Sequence, residues 1–245
     1  MARSINVIVD LSHHNERVDF VKAKKDGIVG VIHKATQGFT YVDATYSARR
    51  RAASDAGLLW GAYHFGVGGD GSDQADFFLN TVQPDGGVLL VLDYEPNLTG
   101  PTMSLDQACE FVEHVAEATG RWPGLYSGHL IKEQLGGMPP DPRLSNCFLW
   151  LAQYNGPTPL GIPPTFATWT FWQYTDGVQG ALPHRVDGIG LCDRNKFNGS
   201  LVQLRRLWAV MEGGRRKPDR PARPAAASNP AHSSLRGRVP TDRRR

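Results

Sequence analysis

The chain has 245 residues, 40% of them hydrophobic, with six tryptophans and a formal net charge of +3. That is apolar material for a sizeable core, and no run approaches the roughly 18 apolar residues of a membrane span. The charge is uneven: residues 213–245 hold ten Lys/Arg and two Asp, so the first 212 residues form a mildly acidic body, and no nucleic-acid partner is expected of them.

In chain order, "INVIVD" (5–10) reads as a strand that ends in an acid. The segment "NERVDFVKAKKDG" reads as a short helix with Val18, Phe20 and Val21 facing inward and Gly27 as its stop. "GIVGVIHKATQG" is a second strand. Residues 43–57 form a helix, 58–66 a strand, and 74–82 a helix. "VLLVLDYEPN" brings five consecutive aliphatic residues to Asp93 and Glu95, a strand over 87–95. Ser104 caps a helix that ends at Gly120. "WPGLYSG", "CFLWLAQYN", "TWTFWQYTDG" and "GIGLCDRNKFNGS" supply four further strands, and residues 201–210 a closing amphipathic helix. Eight strands with fewer helices between them, in repeated β-then-α order, predict an α/β fold: a parallel sheet closed into a TIM-like barrel over residues 1–212. Residues 213–245, with five prolines and no aromatic side chain, are expected to be a disordered basic tail suited to an anionic surface.

Polar residues gather at the predicted C-terminal strand ends: Asp10, Lys34, His64, Asp93, Glu95, Tyr126, Tyr154 and Gln173. In a parallel barrel these ends share the face that carries the active site. Asp93 and Glu95, two apart, point to the same side of a strand, with α-carbons about 7 Å apart. Two confined carboxyls cannot both ionise freely, so one keeps a proton while the other stays charged. Glycoside hydrolysis needs that pair: an acid for the leaving oxygen and an anion beside the oxocarbenium-like centre.

Cys109, Cys147 and Cys192 cannot all pair and form no C-x-x-C motif. The adjacent His13 and His14 are expected to point apart, and no metal and no cofactor is expected. The N-terminus reaches Asp10 too early for a signal-peptide apolar region, so cytoplasmic synthesis without an export signal is expected.

The blocks "VIVDLSHHN", "IHKATQGFTYVD", "AGLLWGAYHF", "VLDYEPN", "LWLAQY", "FWQYTDG" and "CDRNKFNG" occur in an order that resembles glycoside hydrolase family 25, the Chalaropsis-type lysozymes or N-acetylmuramidases. The resemblance covers about residues 5–200. It implies a flattened β/α barrel acting on the β-1,4 bond after N-acetylmuramic acid in peptidoglycan, reached at the cell wall after release or export, as by a phage or prophage endolysin. Glu95 then matches the family's general acid, Asp93 its companion, Asp10 the acid of the first strand and Asp193 that of the last block. Tyr63, Tyr126, Trp150, Tyr154 and Trp172 would offer faces to sugar rings, with Lys34, His64 and Gln173 as polar contacts. The partner is a peptidoglycan strand, and a monomer is expected. Gln37 departs from the family's usual K-A-T-E-G. A chitinase-like hydrolase is the competing enzyme, but Leu89–Leu92 lack the acids of its longer motif. A non-catalytic wall-binding module is the third reading, and the four retained acids argue against it.

Overall fold

Valine- and isoleucine-rich runs form strands because β-branched side chains pack well on a pleated surface covered on both faces. The computed structural model describes residues 4–209, so the basic tail lies outside the described residues. Its elements, in order, are β1 (Ile5–Leu11), α1 (Phe20–Lys25), β2 (Gly30–Gln37), β3 (Tyr41–Val42), α2 (Tyr46–Asp55), β4 (Leu59–Phe65) and α3 (Gly71–Val82). They continue with β5 (Val88–Asp93), α4 (Leu105–Thr119), β6 (Gly124–Ser127), α5 (His129–Leu135), β7 (Phe148–Ala152) and β8 (Phe171–Thr175). The chain then forms β9 (Arg185–Val186), β10 (Gly190–Leu191), β11 (Asp193–Phe197) and α6 (Leu201–Ala209).

Eight strands close into a barrel in the order β1, β2, β4, β5, β6, β7, β8, β11, with β1 pairing both β2 and β11. Seven run parallel. β11 is antiparallel to both neighbours, which corrects the all-parallel expectation. It follows β8 through a loop that carries only the small β9–β10 hairpin, so no crossover helix returns the chain to the other end before it pairs. β3 folds back on β2 as a hairpin arm outside the barrel.

Strand alternation sorts side chains into two apolar layers. In β5, Leu89 and Val91 point into the barrel with Ile8, Ile32, Trp150 and Phe171, while Val88, Leu90 and Leu92 face the helices. Asp93 continues the inward series. The floor is closed by α6: Leu204 and Trp208 join the inner cluster, and the Trp208 indole donates to the Trp60 carbonyl at 2.9 Å.

The helices begin where side chains satisfy their free N–H groups. Ser104 and Gln107 form a reciprocal capping box on α4, and Asp19 and Asp70 cap α1 and α3. On α1 the buried residues are Phe20 and Ala23, whereas Val21 is 56% exposed, against the inward expectation. Six residues make too short a stripe for both neighbours, 20 and 21, to face the sheet.

Candidate active site

The C-terminal mouth of the barrel collects the acids. Asp10 ends the inward face of β1, and Asp193 opens β11 directly opposite it in register. Asp93 is the last residue of β5. Glu95 lies beyond the strand, not within it. The chain stays in sheet pairing for one residue more, as the Tyr94 N–H donates to the Tyr126 carbonyl at 2.8 Å, and Tyr94 is buried among the helices. Glu95 is thus carried on a rigid extension, and its Oε1 faces Gly128, where an added Cβ would stand 3.6 Å away.

All four carboxyls hold their protons above the ordinary range, chiefly because burial penalises the anion. Asp10 is raised to about 6 although Asn195 and Gln173 donate to it. Asp193 is raised to about 8, by burial and then by the charge of Asp10. Burial followed by the charge of Glu95 raises Asp93, whose buried Oδ1 has no hydrogen-bond partner. Glu95 is raised by burial and by Asp10, with His129 acting against them. Such a cluster releases protons in coupled steps.

Lys34 faces these acids. Its ammonium donates to Gln37 Oε1 at 2.6 Å and lies 5.1 Å from the Phe65 ring centroid. Burial lowers its pKa, while Asp93 and Asp43 favour its charge. Gln37, the departure from the family block, thus supplies a neutral anchor, so the Lys34 charge is not cancelled at its nearest contact. The Tyr63 hydroxyl is pushed well up by burial and by Asp93, Asp10 and Asp193, which puts it among the carboxyls.

Tyr126, Tyr154 and Gln173 meet at the mouth: both hydroxyls donate to Gln173 Oε1, at 2.8 and 2.7 Å. Gln173 Nε2 donates to Asp10 Oδ2 at 3.0 Å.

Three residues expected at the site are elsewhere. His64 lies on the outer face of β4, fully buried, hydrogen-bonded to Thr36 at 2.8 Å and stacked on Phe111. The strand bulges between Lys34 and Thr36 of its neighbour, but alternation still sends Tyr63 in and His64 out. Trp172 is the outward neighbour of Gln173, with its indole N–H given to the Gln153 carbonyl and its ring covered by Lys196 at 4.5 Å. Trp150 points inward but lies beneath the site, 1% exposed, edge-on to Tyr126, donating to Asn195 at 2.7 Å. It supports the floor and has no free face. His13 and His14 do not point apart; their ring centroids lie 4.0 Å from each other, the planes tilted by 38°. Asn195 was the residue missed. It stands two positions after Asp193 on the same strand face and donates to Asp10 at 2.7 Å. The alternation that pairs Asp93 with Glu95 identifies it. Among the described residues, no group of three His, Cys, Asp or Glu side chains is placed to hold a metal ion.

A closed barrel whose mouth crowds proton-holding carboxyls against tyrosines has the architecture of a barrel glycoside hydrolase. The family model for glycosyl hydrolases family 25 matches residues 9–181. Lysozyme M1 of Streptomyces globisporus is 32% identical over 80% of this chain and 69% of its own length. The bacterial lysozyme of Streptomyces coelicolor superposes with a TM-score of 0.72 at 30% identity, covering 87% of this chain and 99% of that one. A family GH25 lysozyme from Aspergillus fumigatus gives 0.70 at 34% identity, covering 84% of this chain and all of its own. This chain belongs to glycosyl hydrolases family 25.

Proposed function

We propose that the chain is an N-acetylmuramidase that cleaves the β-1,4 bond after N-acetylmuramic acid in peptidoglycan, with Glu95 as general acid. The observation that carries this reading is the single mouth shared by Glu95, Asp93, Asp10 and Asp193, in a chain similar to lysozymes along most of its length.

Glu95 and Asp93 compete for protons, since charge on Glu95 raises Asp93. Lys34 opposes that rise at Asp93 and favours its anion, although burial still holds Asp93 well above its ordinary range. Acid catalysis requires a protonated carboxyl beside the glycosidic oxygen, which Glu95, raised by burial, supplies, and further carboxyls beneath the ring. Asp93 and Asp193 are those carboxyls: they orient the 2-acetamido group, or steady positive charge at the anomeric carbon once ionised. Tyr63, Tyr126 and Tyr154 line the sugar site. Every one of these groups comes from one chain, which supports action as a monomer. The substrate lies outside the cell membrane, so the protein meets it after release or export.

Glu95→Gln tests the assignment, because Gln is isosteric and has no acidic proton to transfer. Wall lysis is expected to fall by about 10²–10⁴, with an unchanged melting temperature. Activity above about a tenth of wild type would remove Glu95 from the role.

A further inference from the structure

The hydrogen-bond inventory around Gln173 fixes which way each polar group at the mouth points. An amide oxygen has two acceptor sites and an amide nitrogen two protons. Both sites on Gln173 Oε1 are taken, by the hydroxyls of Tyr126 and Tyr154. Its Nε2 faces Asp10, at 3.2 Å from Oδ1 and 3.0 Å from Oδ2. Asn195 is turned the same way: the Trp150 indole occupies its oxygen at 2.7 Å, and its Nδ2 donates to Asp10. Gln173 is only 3% exposed, its oxygen is fully used and its nitrogen is turned to Asp10, which leaves it poorly placed to meet a sugar.

Each tyrosine has one hydroxyl proton, and that proton is committed to Gln173. Toward the open mouth both oxygens therefore present lone pairs only. We propose that Gln173 is a positioning residue, not a sugar contact: it aims its donors at Asp10 and turns Tyr126 and Tyr154 into acceptors, so the sugar group bound between them is a hydrogen-bond donor, a hydroxyl or an amide N–H. The inference rests on the hydrolase reading for its substrate but on the geometry alone for its network.

The groups that face Asp10 decide how the network responds to pH. Three other carboxyls do so, Asp93 and Glu95 from β5 and its extension and Asp193 from β11. Tyr63, Tyr126 and Tyr154 also feel its charge, all with hydroxyls pushed above their ordinary range by burial, as does Cys192 in the outer layer, its thiol raised to about 12. Those four do not titrate in the working range, so a pH response reports carboxyls. Gln173→Glu keeps the acceptor for both tyrosines but sets a carboxyl against Asp10. At low pH a shared proton restores a donor; at high pH two anions are buried together.

The test is Gln173→Glu in the full chain, read by thermal melting and by wall lysis from about pH 4 to about pH 8. Introduced and native carboxyls both have folded pKa values above their unfolded ones, so the variant's deficit must grow as pH rises. Its melting temperature is expected to approach wild type near pH 4 and to fall progressively further below it by pH 8. Lysis is expected within about threefold of wild type near pH 5 and more than about tenfold down near pH 8. A deficit constant with pH, in melting or in lysis, overturns the proposal. Because any buried carboxyl is penalised as it ionises, Gln173→Met, which fills the same space without an amide donor or acceptor, is compared at about pH 5. It should lose more than about tenfold in lysis there, and lysis equal to that of Gln173→Glu also overturns the proposal. Failure to fold at pH 8 with folding at pH 4 supports it, and failure at both contradicts it. Tyr154→Phe, at a half-buried position, tests the acceptor claim: KM for a soluble glycan should rise about threefold to tenfold, and an unchanged KM contradicts it. Should wild type lyse no wall at any pH, the muramidase reading fails while the melting comparison still decides the network.

Discussion

At the scale of single residues, the chain separates two kinds of buried titratable group. The mouth carboxyls have raised pKa values, whereas His33 and His64, buried behind the barrel wall, are lowered to about 4 by burial. His64 sits in a neutral set of partners, Thr36 and Gln74, and His33 stacks on Trp60 at 5.5 Å. A lowered histidine pKa means that the unfolded chain takes up the proton first. Stability is therefore lost as pH falls from about 6.5 to about 4, by on the order of 3 kcal/mol for each histidine at the limit. Asp10 and Asp193 act with the opposite sign as pH rises, so the difference between two proteins is the readable quantity. His64→Gln retains a polar side chain that does not titrate. Its melting temperature relative to wild type should rise as pH drops through that window, and a flat difference would deny His64 the role. Sequence placed Tyr63 and His64 together at a strand end; only the pleat, which puts one inside and one outside, tells catalytic mouth from helix-packed wall.

Elements were legible where a local chemical reason sets them. The β5 run is apolar at every position because both faces are covered, and α4 starts at Ser104 because its side chain takes the Gln107 N–H. α5 has seven residues and starts after Gly128 without a side-chain cap, so its signal is weak. The direction of β11 was not legible, since alternation reports the face of a strand but not its polarity. The end of β5 differs from the sequence reading for a similar reason: Glu95 keeps the alternating pattern although the strand ends at Asp93 and pairing stops with the Tyr94 N–H. Helix contacts set another limit that spacing hides. At Gly71, the first residue of α3, an added Cβ would stand 2.2 Å from the Gln107 carbonyl of α4 and 2.9 Å from the Glu110 Cβ. Neither backbone can yield without separating the helices. Gly71→Ala should destabilise by about 1–3 kcal/mol, measured by urea unfolding, without changing residual activity per folded molecule. Wild-type stability would mean that α3 and α4 are less tightly apposed.

For the whole molecule, closure of the barrel is what makes the acid cluster possible. Carboxyls from strands first, middle and last in sequence, Asp10, Asp93 and Asp193, meet because β1 pairs both β2 and β11. A sheet left open between those strands would separate Asp10 from Asp193. We propose that the basic C-terminal segment matters at this scale too, by attraction to anionic wall surfaces. Truncation after Glu212 removes ten cationic side chains, and hydrolysis of small soluble glycans should be unaffected. Activity on intact walls should fall at about 20 mM salt, and wild type should converge on the truncated form by about 300 mM, as screening shortens. Equal wall activity at both salt concentrations would make the segment passive. The central claim is the bond that the mouth cleaves. Purified peptidoglycan digested to completion, then reduced with borohydride and hydrolysed, reports which sugar carries the new reducing ends. Muramitol is the predicted product, formed by wild type and lost in Glu95→Gln; glucosaminitol in its place would contradict the assignment.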